Sequence, residues 1–265
     1  MEIGGKTVLL TGATGGLGRA IAEKLASRGS HVVLSSRKAD ELIALAESLP
    51  GDGHRVVVAD LAIEGAAERL VADAGDVDIL VANAGLPGSG RLENFTQEEI
   101  ERAIRVNLES PVKMARELFP PMVDRGSGHL VFMSSISGKA ATARASLYAA
   151  TKFGLRGFAF CLRDDLRGTG VGVSVISPGA IREAGMFADS KAKPPPGLGT
   201  GKPEQVSNAV ARAIEHDKGE ITVAPLRQRA LSRVAVNAPE LSGKVAGGLA
   251  AKVADEIAAG QTDKR

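Results

Sequence analysis

The stretch Thr7–Arg19, TVLLTGATGGLGR, contains the residues that decide the fold. Its first four residues form a short apolar run typical of a strand buried on both faces, and a helical pattern begins at Gly16. Between the two, glycines allow the backbone to turn tightly and to approach a pyrophosphate, whose charge then lies at the helix N-terminus. A glycine turn that merely caps a helix is the alternative, but the strand before it and the helix after it favour a dinucleotide site.

The same alternation of short apolar runs and longer helical patterns continues along the chain. Repeated β–α alternation implies right-handed crossovers and a parallel sheet covered by helices on both faces. We therefore expect a three-layer, doubly wound Rossmann-type α/β fold with a parallel seven-stranded sheet. The strands are predicted at Thr7–Leu10, His31–Leu34, Arg55–Val58, Asp78–Val81, His129–Met133, Val171–Ile176 and Glu220–Val223. The helices are predicted at Gly16–Arg28, Ala39–Ser48, Ile63–Ala74, Thr96–Leu118, Ser146–Arg167 and Pro203–Glu215.

The composition of the 265 residues is that of an ordinary soluble globular chain. Apolar residues make up 44% and charged residues 24%, which is too apolar for a disordered chain. Because 33 Lys and Arg nearly balance 31 Asp and Glu, the net charge of +2 does not favour a nucleic-acid partner. No apolar run approaches the roughly 18 residues of a membrane span, and the first residues lack the apolar core of a signal peptide. We expect a soluble, cytoplasmic protein.

Residue types that bind metals are sparse. One cysteine, Cys161, excludes an intrachain disulfide and a zinc site built from cysteines. The four histidines are scattered without a close pair, so no metal site is expected. Cys161 has aromatic and aliphatic neighbours, which predict a buried and unreactive thiol.

The end of the second predicted strand distinguishes between two dinucleotides. An acid there would accept a hydrogen bond from the ribose 2′-hydroxyl and would repel a 2′-phosphate. This strand is followed by Ser35, Ser36, Arg37 and Lys38, with no acid. The planar guanidinium of Arg37 suits a phosphate, although a solvated arginine at a strand end is the alternative. We therefore expect NADP(H) to be preferred, with NAD(H) possible.

The only tyrosine of the chain, Tyr148, precedes Lys152 by four residues in a predicted helix. Side chains at i and i+4 share one helix face, so the phenol and the ammonium group are expected to be neighbours. A phenol has a pKa of about 10, and a nearby cation would lower it toward the range of a proton shuttle. A surface pair on a helix is the alternative. The fifth strand ends at Ser134 and Ser135, where a hydroxyl can donate to a substrate carbonyl.

In this order, these residues resemble the short-chain dehydrogenase/reductase family, in its compact single-domain branch. The resemblance covers about residues 5–225. It implies an NAD(P)-dependent enzyme that transfers a hydride reversibly between nicotinamide and a carbonyl or secondary alcohol. The motifs that carry it are Thr11-Gly12 with Gly16-Leu17-Gly18, Asp60-Leu61, Asn83-Ala84-Gly85, Asn107, Ser135, Tyr148 with Lys152, and Pro178-Gly179.

The resemblance implies a role for each matched residue. Tyr148 would act as general acid or base, and Lys152 would lower its pKa and hold the nicotinamide ribose. Ser135 would orient the substrate carbonyl, and Asn107 would hold a water in a proton relay. The cofactor would be bound by Gly12, Thr14, Gly15, Gly16, Leu17, Gly18, Arg37, Asp60, Leu61, Asn83, Ala84, Gly85, Tyr148, Lys152, Pro178, Gly179 and Ile181.

Three points leave alternatives open. The glycines also fit the spacing Gly12-x-x-Gly15-x-x-Gly18 of the longer sugar-nucleotide epimerase branch, against which the chain length argues. The family usually has a threonine that bonds the nicotinamide carboxamide where this chain has Glu183, so the geometry on that side is open. A non-catalytic NADP(H) sensor or a scaffold subunit is the alternative function, although neither needs the serine, tyrosine and lysine together.

Segments outside these motifs are expected to select the substrate, since loops set specificity while the scaffold does the chemistry. The irregular loop Ala184–Lys202 and the C-terminal residues should form the pocket. An apolar lining and nearby cations would suit a hydrophobic or acyl-type carbonyl compound with an anionic group. The expected lining is Met186, Phe187, Leu198, Leu226 and Leu231, and the expected cations are Lys191, Lys193, Lys202, Arg227, Arg229 and Arg233.

We expect one catalytic domain, residues 1–225, and a C-terminal extension, residues 226–265. A helix in the extension is predicted to carry Val245, Leu249, Val253 and Ile257 on one stripe. It would pack on the body or on a partner subunit, or form a basic lid near the site or at a membrane surface. The expected partners are a small carbonyl or alcohol substrate and further copies of the chain, in a homotetramer or a homodimer.

Overall fold

The computed structural model describes residues 1–190, 192, 197–237, 240, 251 and 253–260. Its strands are β1 (Thr7–Thr11), β2 (His31–Ser36), β3 (Arg55–Val58), β4 (Ile79–Ala82), β5 (Gly128–Met133), β6 (Val171–Pro178) and β7 (Glu220–Val223). They form one sheet in the order β3-β2-β1-β4-β5-β6-β7, and every neighbouring pair is parallel. The expected parallel seven-stranded sheet is confirmed.

Helices cover both faces of this sheet and create two apolar cores. Residues of α1, α2 and α8 pack with one set of strand side chains, and residues of α3, α5 and α6 pack with the other. The helices are α1 (Gly16–Ala26), α2 (Ala39–Ser48), α3 (Ala66–Ala74), α4 (Gln97–Ile104), α5 (Ser110–Asp124), α6 (Ser146–Asp165), α7 (Gly185–Asp189), α8 (Pro203–Glu215) and α9 (Leu226–Asn237). Residues 253–259 are also helical. The three-layer arrangement is therefore the Rossmann-like one that the alternating pattern predicts.

The strand order reverses at β1, which pairs with β2 on one side and with β4 on the other. In sheets of this kind, ligands bind in the crevice outside the carboxyl ends of the strands at such a point. The glycine turn follows β1 directly, Asn83 follows β4, and Ser134 follows β5. Motifs that are far apart in sequence thus meet at one edge of the sheet.

The helix predicted for Thr96–Leu118 is less regular and longer than expected. It consists of α4, a π-helical turn over Arg105–Glu109, and α5, which continues to Asp124. A π turn inserts one residue into the helical hydrogen-bond ladder and is frequent at functional positions. Here it contains Asn107, one of the residues that the resemblance places in the site.

The edge of the sheet and the C-terminal extension also differ from the prediction. β3 is an edge strand, so that Arg55 and Val58 are exposed instead of buried. The extension begins with α9, which the sequence analysis did not anticipate. Of the predicted apolar stripe, Val253 and Ile257 lie on the helical residues 253–259. Its other two members, like the predicted cations at positions 191 and 193, lie outside the described residues.

Two absences apply to the described part of the chain. No helix there is long and apolar enough to cross a membrane. Nor do three or more His, Cys, Asp or Glu side chains come together in those ranges in a way that could hold a metal ion.

Candidate active site

The glycine turn between β1 and α1 is shaped by contacts that exclude side chains. Gly12 has a φ of +64°, and a Cβ there would lie 2.8 Å from the Cα of Ala84. A Cβ on Gly18 would collide with the carbonyl oxygen of Gly12. α1 begins after Gly15 without a side-chain cap on its first N–H groups. These N–H groups and the open backbone around them fit the phosphates of a dinucleotide.

Asn83 anchors this turn to the neighbouring strand. Its Nδ2 donates to the carbonyl oxygens of Thr11 and Gly12, at 3.0 and 3.2 Å. In return, the hydroxyl of Thr11 accepts hydrogen bonds from the backbone N–H groups of Asn83 and Ala84, at 3.1 and 3.0 Å. Asn83 therefore joins the carboxyl ends of β1 and β4 and holds the shape of the turn.

Two further residues of the turn occupy different positions. The carbonyl oxygen of Thr14 accepts a hydrogen bond of 3.0 Å from Nε of Arg19, which ties the turn to the first helix. Leu17, in the first turn of α1, lines the large cavity described below.

Arg37 is exposed at the carboxyl end of β2. Among the described residues, its guanidinium makes no hydrogen bond or ion pair. The neighbouring cations Lys38 and Arg19 both form ion pairs with Glu41, at 2.6 and 3.0 Å. The hydrogen bond from Lys38 accordingly lowers the pKa of Glu41. Arg37 is thus exposed after β2 and left without an ion pair within the described part of the chain.

Asp60 and Leu61 follow β3. The Oδ1 of Asp60 accepts a hydrogen bond of 3.0 Å from the backbone N–H of Ala62, which closes a short turn. Leu61 is buried, and its carbonyl oxygen accepts from the hydroxyl of Ser110 at 3.1 Å. The pair is therefore fixed at the same edge of the sheet as the glycine turn.

The two serines after β5 have different environments. Ser134 is buried, and its hydroxyl donates to the carbonyl oxygen of Lys152 at 3.0 Å. The hydroxyl of Ser135 accepts from the backbone N–H of Ser137 at 3.1 Å and contacts the carbonyl oxygen of Pro178 at 3.5 Å. Ser134 thus ties the segment after β5 to α6. Ser135 instead hydrogen-bonds the side chain of Tyr148.

Tyr148 and Lys152 lie one turn apart on α6, as their spacing predicts. The Nζ of Lys152 is 5.7 Å from the centroid of the tyrosine ring and donates to the carbonyl oxygen of Met133 at 2.8 Å. Burial lowers the pKa of Lys152 to about 8.

The expectation that the lysine lowers the tyrosine pKa is wrong for this structure. Burial raises the pKa of Tyr148 to about 12, although the hydrogen bond from Ser135 acts in the opposite direction. Desolvation prevails because protein atoms surround the phenol at the cavity wall, while the ammonium group of Lys152 is directed at a backbone carbonyl. The phenol is consequently protonated at neutral pH.

Asn107 is fully buried in the π turn and fixes the loop after β4. Its Oδ1 accepts from the backbone N–H of Leu86 at 2.6 Å, and its Nδ2 donates to the carbonyl oxygen of the same residue at 3.0 Å. A Cβ on Gly85 would lie 3.3 Å from this Oδ1 and 3.6 Å from the Nζ of Lys152. Asn107, Gly85 and Lys152 are therefore brought together.

The segment after β6 closes the other side of the site. Ile181 is buried and forms a bridge with Gly201, which holds the segment after Pro178 and Gly179 in place. Glu183, at the position of the family's usual threonine, is exposed with a φ of +72°. Its carboxylate accepts a hydrogen bond of 2.9 Å from Nε of Arg182.

A cavity of about 520 Å³ joins these groups to an apolar chamber. Ser135, Tyr148 and Lys152 lie on its wall together with Asn83 and Gly85. Of the five apolar lining residues predicted from the sequence, four are present and Leu226, which is 79% exposed, is not part of the lining. The expectation that C-terminal residues help to form the pocket is met by further lining residues that the sequence analysis did not name for it: Val234, Val253, Ala254 and Ile257. The sequence signal for Val253 and Ile257 was their spacing of four residues, which places both on one helix face.

A half-buried ionic cluster near the site was not anticipated. The carboxylate of Glu220 contacts Nζ of Lys139 at 3.0 Å and Nε of Arg156 at 3.0 Å, and it accepts from the hydroxyl of Ser177 at 2.9 Å. Burial acts to raise the pKa of Glu220, but the hydrogen bonds from Arg156 and Lys139 hold it below its usual range. No local sequence signal identifies this cluster, because its members lie on four separate segments.

Known proteins resemble this chain in both sequence and structure. Residues 6–195 match the family model for short chain dehydrogenases. The ketoacyl reductase HetN of Nostoc sp. is 36% identical over 225 residues, which cover 83% of this chain and 78% of HetN. A short-chain dehydrogenase from Streptomyces avermitilis superposes with a TM-score of 0.78 and 27% identity, over 91% of this chain and 96% of its own.

A further structure was solved with a cofactor bound. The 3-oxoacyl (acyl-carrier-protein) reductase from Agrobacterium tumefaciens, with NADP bound, superposes with a TM-score of 0.74 and 30% identity. The match covers 84% of this chain and 94% of that protein. Sequence, fold and the arrangement of the serine, tyrosine and lysine agree: the chain belongs to the short-chain dehydrogenase/reductase family and is an NAD(P)-dependent oxidoreductase.

Proposed function

We propose that the protein is an NADP(H)-dependent reductase of apolar, acyl-type carbonyl compounds, which also oxidises the corresponding secondary alcohols. The observation that carries the proposal is the cavity of about 520 Å³. On its wall, Ser135, Tyr148 and Lys152 meet an apolar chamber that is large enough for an extended substrate.

Tyr148 is the general acid of the proposed reduction. Its pKa of about 12 keeps the phenol protonated at neutral pH, which is the form that donates a proton to a carbonyl oxygen. Ser135, which hydrogen-bonds this phenol, orients the same oxygen. The ammonium group of Lys152, 5.7 Å from the ring centroid, holds the nicotinamide ribose beside this phenol. Asn107 holds a water that returns a proton to the pair.

The residues at the sheet edge fit a nicotinamide dinucleotide. When bound, the cofactor supplies the hydride to the carbonyl carbon. The backbone between Gly12 and Gly18 binds its phosphates, as the excluded Cβ positions support. Lys152 holds the nicotinamide ribose, and Asp60 contacts the adenine. The segment from Pro178 to Ile181 lies beside the nicotinamide.

NADP(H) is the proposed cofactor. Arg37 supports this choice, because its guanidinium is exposed at the end of β2 and makes no ion pair with a described residue. The related reductase from Agrobacterium tumefaciens was solved with NADP, which is consistent with the same preference. An acid in place of Arg37 would have favoured NAD(H) instead.

The proposed substrates are 3-ketoacyl thioesters or long-chain ketones. The cavity walls support an apolar chain, since Phe187, Leu231 and Ile257 all lie on them. The name of HetN describes a ketoacyl reductase, and the Agrobacterium protein acts on an acyl chain linked to a carrier protein. Small polar sugars would make few apolar contacts with these walls.

We also propose that the enzyme assembles as a homodimer or a homotetramer through α4, α5 and α6. Ile104 and Phe153 are each 41% exposed on these helices, which supports a further contact. Ile100 and Leu108, two further apolar residues of this region, pack against apolar clusters of the same chain. Residues 226–265 form an extension of the catalytic domain in this proposal.

Turnover of NADPH by the purified protein tests the function. We expect medium- and long-chain ketones and ketoacyl thioesters to have values of kcat/KM at least about tenfold above those of aldoses. Faster turnover of the sugars would contradict the proposed substrate class. Tight NADPH binding with no turnover of any carbonyl compound would favour the non-catalytic sensor or scaffold.

A further inference from the structure

Large apolar side chains are exposed on α9, whereas the residues that this helix buries are small or polar. Its buried residues are Gln228, Ser232 and Ala235. Of the ten large apolar side chains that are most exposed among the described residues, four lie on this helix of twelve residues. They are Leu226, Leu231, Val234 and Val236, which are 79%, 51%, 50% and 51% exposed. A surface helix usually buries its large apolar side chains instead.

Hydrogen bonds of Gln228 attach α9 to two segments of the body. The Nε2 of Gln228 donates to the carbonyl oxygens of Gly199 and Leu198, at 2.8 and 3.3 Å. Its Oε1 accepts from the backbone N–H of Ala180 at 3.4 Å. Leu226 and Val236 take no part in these hydrogen bonds and do not line the cavity, so neither contact accounts for their exposed side chains.

The same face is strongly basic. α9 carries Arg227, Arg229 and Arg233, all exposed, and it contains no acid. The net charge of the whole chain is only +2, so this positive charge is a local feature. Among the described residues, neither Arg229 nor Arg233 has an ion-pair partner.

The arginines flank an apolar strip. With 100° between successive helix positions, Leu226, Ala230 and Val234 project in nearly one direction. Arg229 and Arg233 lie on one side of this strip, and Arg227 lies on the other. An apolar strip between basic flanks is the arrangement of helices that lie in the headgroup region of a bilayer.

We propose that this face of α9 docks on a lipid bilayer that contains anionic lipids. The strip enters the boundary between headgroups and acyl chains, and the arginines bind the lipid phosphates. Leu231 and Val234 also line the cavity, so docking places one cavity wall next to the source of an apolar substrate. The proposal goes beyond the proposed reductase activity and does not depend on it.

Two other occupants fit these observations less well. In a symmetric contact between two copies, the three arginines of one helix would face those of the other, which is unfavourable. An acidic protein would pair with the arginines, but the protruding Leu226 would need a matching pocket, whereas a bilayer accepts it anywhere on its surface. Both occupants are outcomes of the tests below.

Cosedimentation of the full chain with vesicles measures the docking. We expect binding to vesicles of phosphatidylcholine and phosphatidylglycerol, and little binding to phosphatidylcholine alone. The variant Arg229→Glu/Arg233→Glu should bind at least about 30-fold more weakly. The matched control Arg212→Glu/Lys218→Glu changes the net charge equally at two exposed positions away from α9, and should bind nearly as the parent does. Equal losses in both variants, or no binding by the parent, would overturn the proposal.

Labelling of a cysteine locates the contact. Cys161 is exposed on α6 and is the only cysteine of the chain, so it reports on a different face. In Leu226→Cys/Cys161→Ser, a water-soluble maleimide should react quickly without vesicles and at least about tenfold more slowly with anionic vesicles. Cys161 of the parent should react equally in both conditions.

Three results of the labelling would contradict the docking model. Slow labelling of position 226 without vesicles would mean that another part of the chain or a second copy covers this face, and sedimentation velocity would distinguish the two. Equal protection of both cysteines would mean that α9 is not the docking face. Protection by polyglutamate but not by vesicles would indicate an acidic protein as the partner. Circular dichroism of each variant verifies that it folds.

Discussion

The guanidinium of Arg156 makes two parallel hydrogen bonds to the carboxylate of Glu220, from Nε at 3.0 Å and from Nη2 at 3.1 Å. Arg156 lies one turn after Lys152 on α6, and the same carboxylate accepts from Ser177, which precedes Pro178. Glu220 therefore connects α6, which carries Tyr148 and Lys152, to β6, which ends at Pro178.

We expect Glu220→Gln to destabilise the fold by about 2–4 kcal/mol, because Lys139 and Arg156 would keep their charges in a half-buried place without a counter-ion. Urea unfolding measures this change, and kcat should fall as the two segments lose their connection. Asp164→Asn removes the exposed partner of Arg167 and is the control, with an expected effect below about 0.5 kcal/mol. If both substitutions change the free energy of unfolding equally, the cluster contributes no more than an exposed ion pair does.

Tyr148→Phe should lower kcat about 10²–10⁴-fold, because the general acid is lost, while NADPH binding stays nearly unchanged. Steady-state rates and nicotinamide fluorescence measure the two quantities separately. Ser134→Ala, which removes only the hydrogen bond to the backbone of Lys152, serves as a control for a general loosening of the site. A Tyr148→Phe variant with near-parental kcat would contradict the assignment of the acid.

Arg37→Ala should weaken NADPH binding about 10–100-fold and leave NADH binding within about twofold, since only NADPH carries the 2′-phosphate. Fluorescence titrations with each cofactor determine both affinities. Arg212→Ala, at an exposed arginine on α8, is the matched control and should change neither. If Arg37→Ala weakens the binding of the two cofactors equally, the guanidinium does not bind the 2′-phosphate.

Protonation of His129 should make the fold less stable in mild acid. His129 is 2% exposed and hydrogen-bonded to the hydroxyl of Ser174 at 2.8 Å. Burial lowers its pKa from 6.5 to about 4, with Arg163 and the N-terminal amine acting in the same direction and Asp217 in the opposite one. The unfolded chain therefore takes up a proton more readily than the native one, and stability falls as the pH drops below about 6.5.

The expected loss is about 2 kcal/mol between pH 7 and pH 5, measured by urea unfolding at each pH. In His129→Gln this part of the pH dependence should disappear, whatever the stability of the variant at pH 7. An unchanged slope between pH 7 and pH 5 in that variant would show that other groups cause the loss.

Local patterns were sufficient for much of the fold and for the centre of the site. The apolar runs predicted all seven strands within two residues, because a strand covered on both faces must be apolar throughout. The i to i+4 spacing placed Tyr148 and Lys152 on one helix face, as the structure has them. The strand end placed Ser134 and Ser135 near them, because parallel strands bring their carboxyl ends to one edge, and the family resemblance selected Ser135.

Properties that depend on burial were predicted less well. Cys161 was expected to be buried because of its apolar neighbours, yet its position on α6 turns it toward solvent. The tyrosine pKa was predicted from the neighbouring charge alone, whereas desolvation determines its direction. No local sequence pattern predicted the π turn around Asn107 or the exposed apolar side chains of α9.

The sequence by itself determined the order of strands and helices, the glycine turn and the identities of the serine, tyrosine and lysine, because each rests on neighbouring residues or on a helical repeat. Only the tertiary structure decided that Glu220 pairs with Lys139 and Arg156 and that residues near position 257 close the cavity of Ser135. Such contacts join segments far apart in the chain. Their energies depend on how completely water is removed between the segments, and that is a property of the packed molecule.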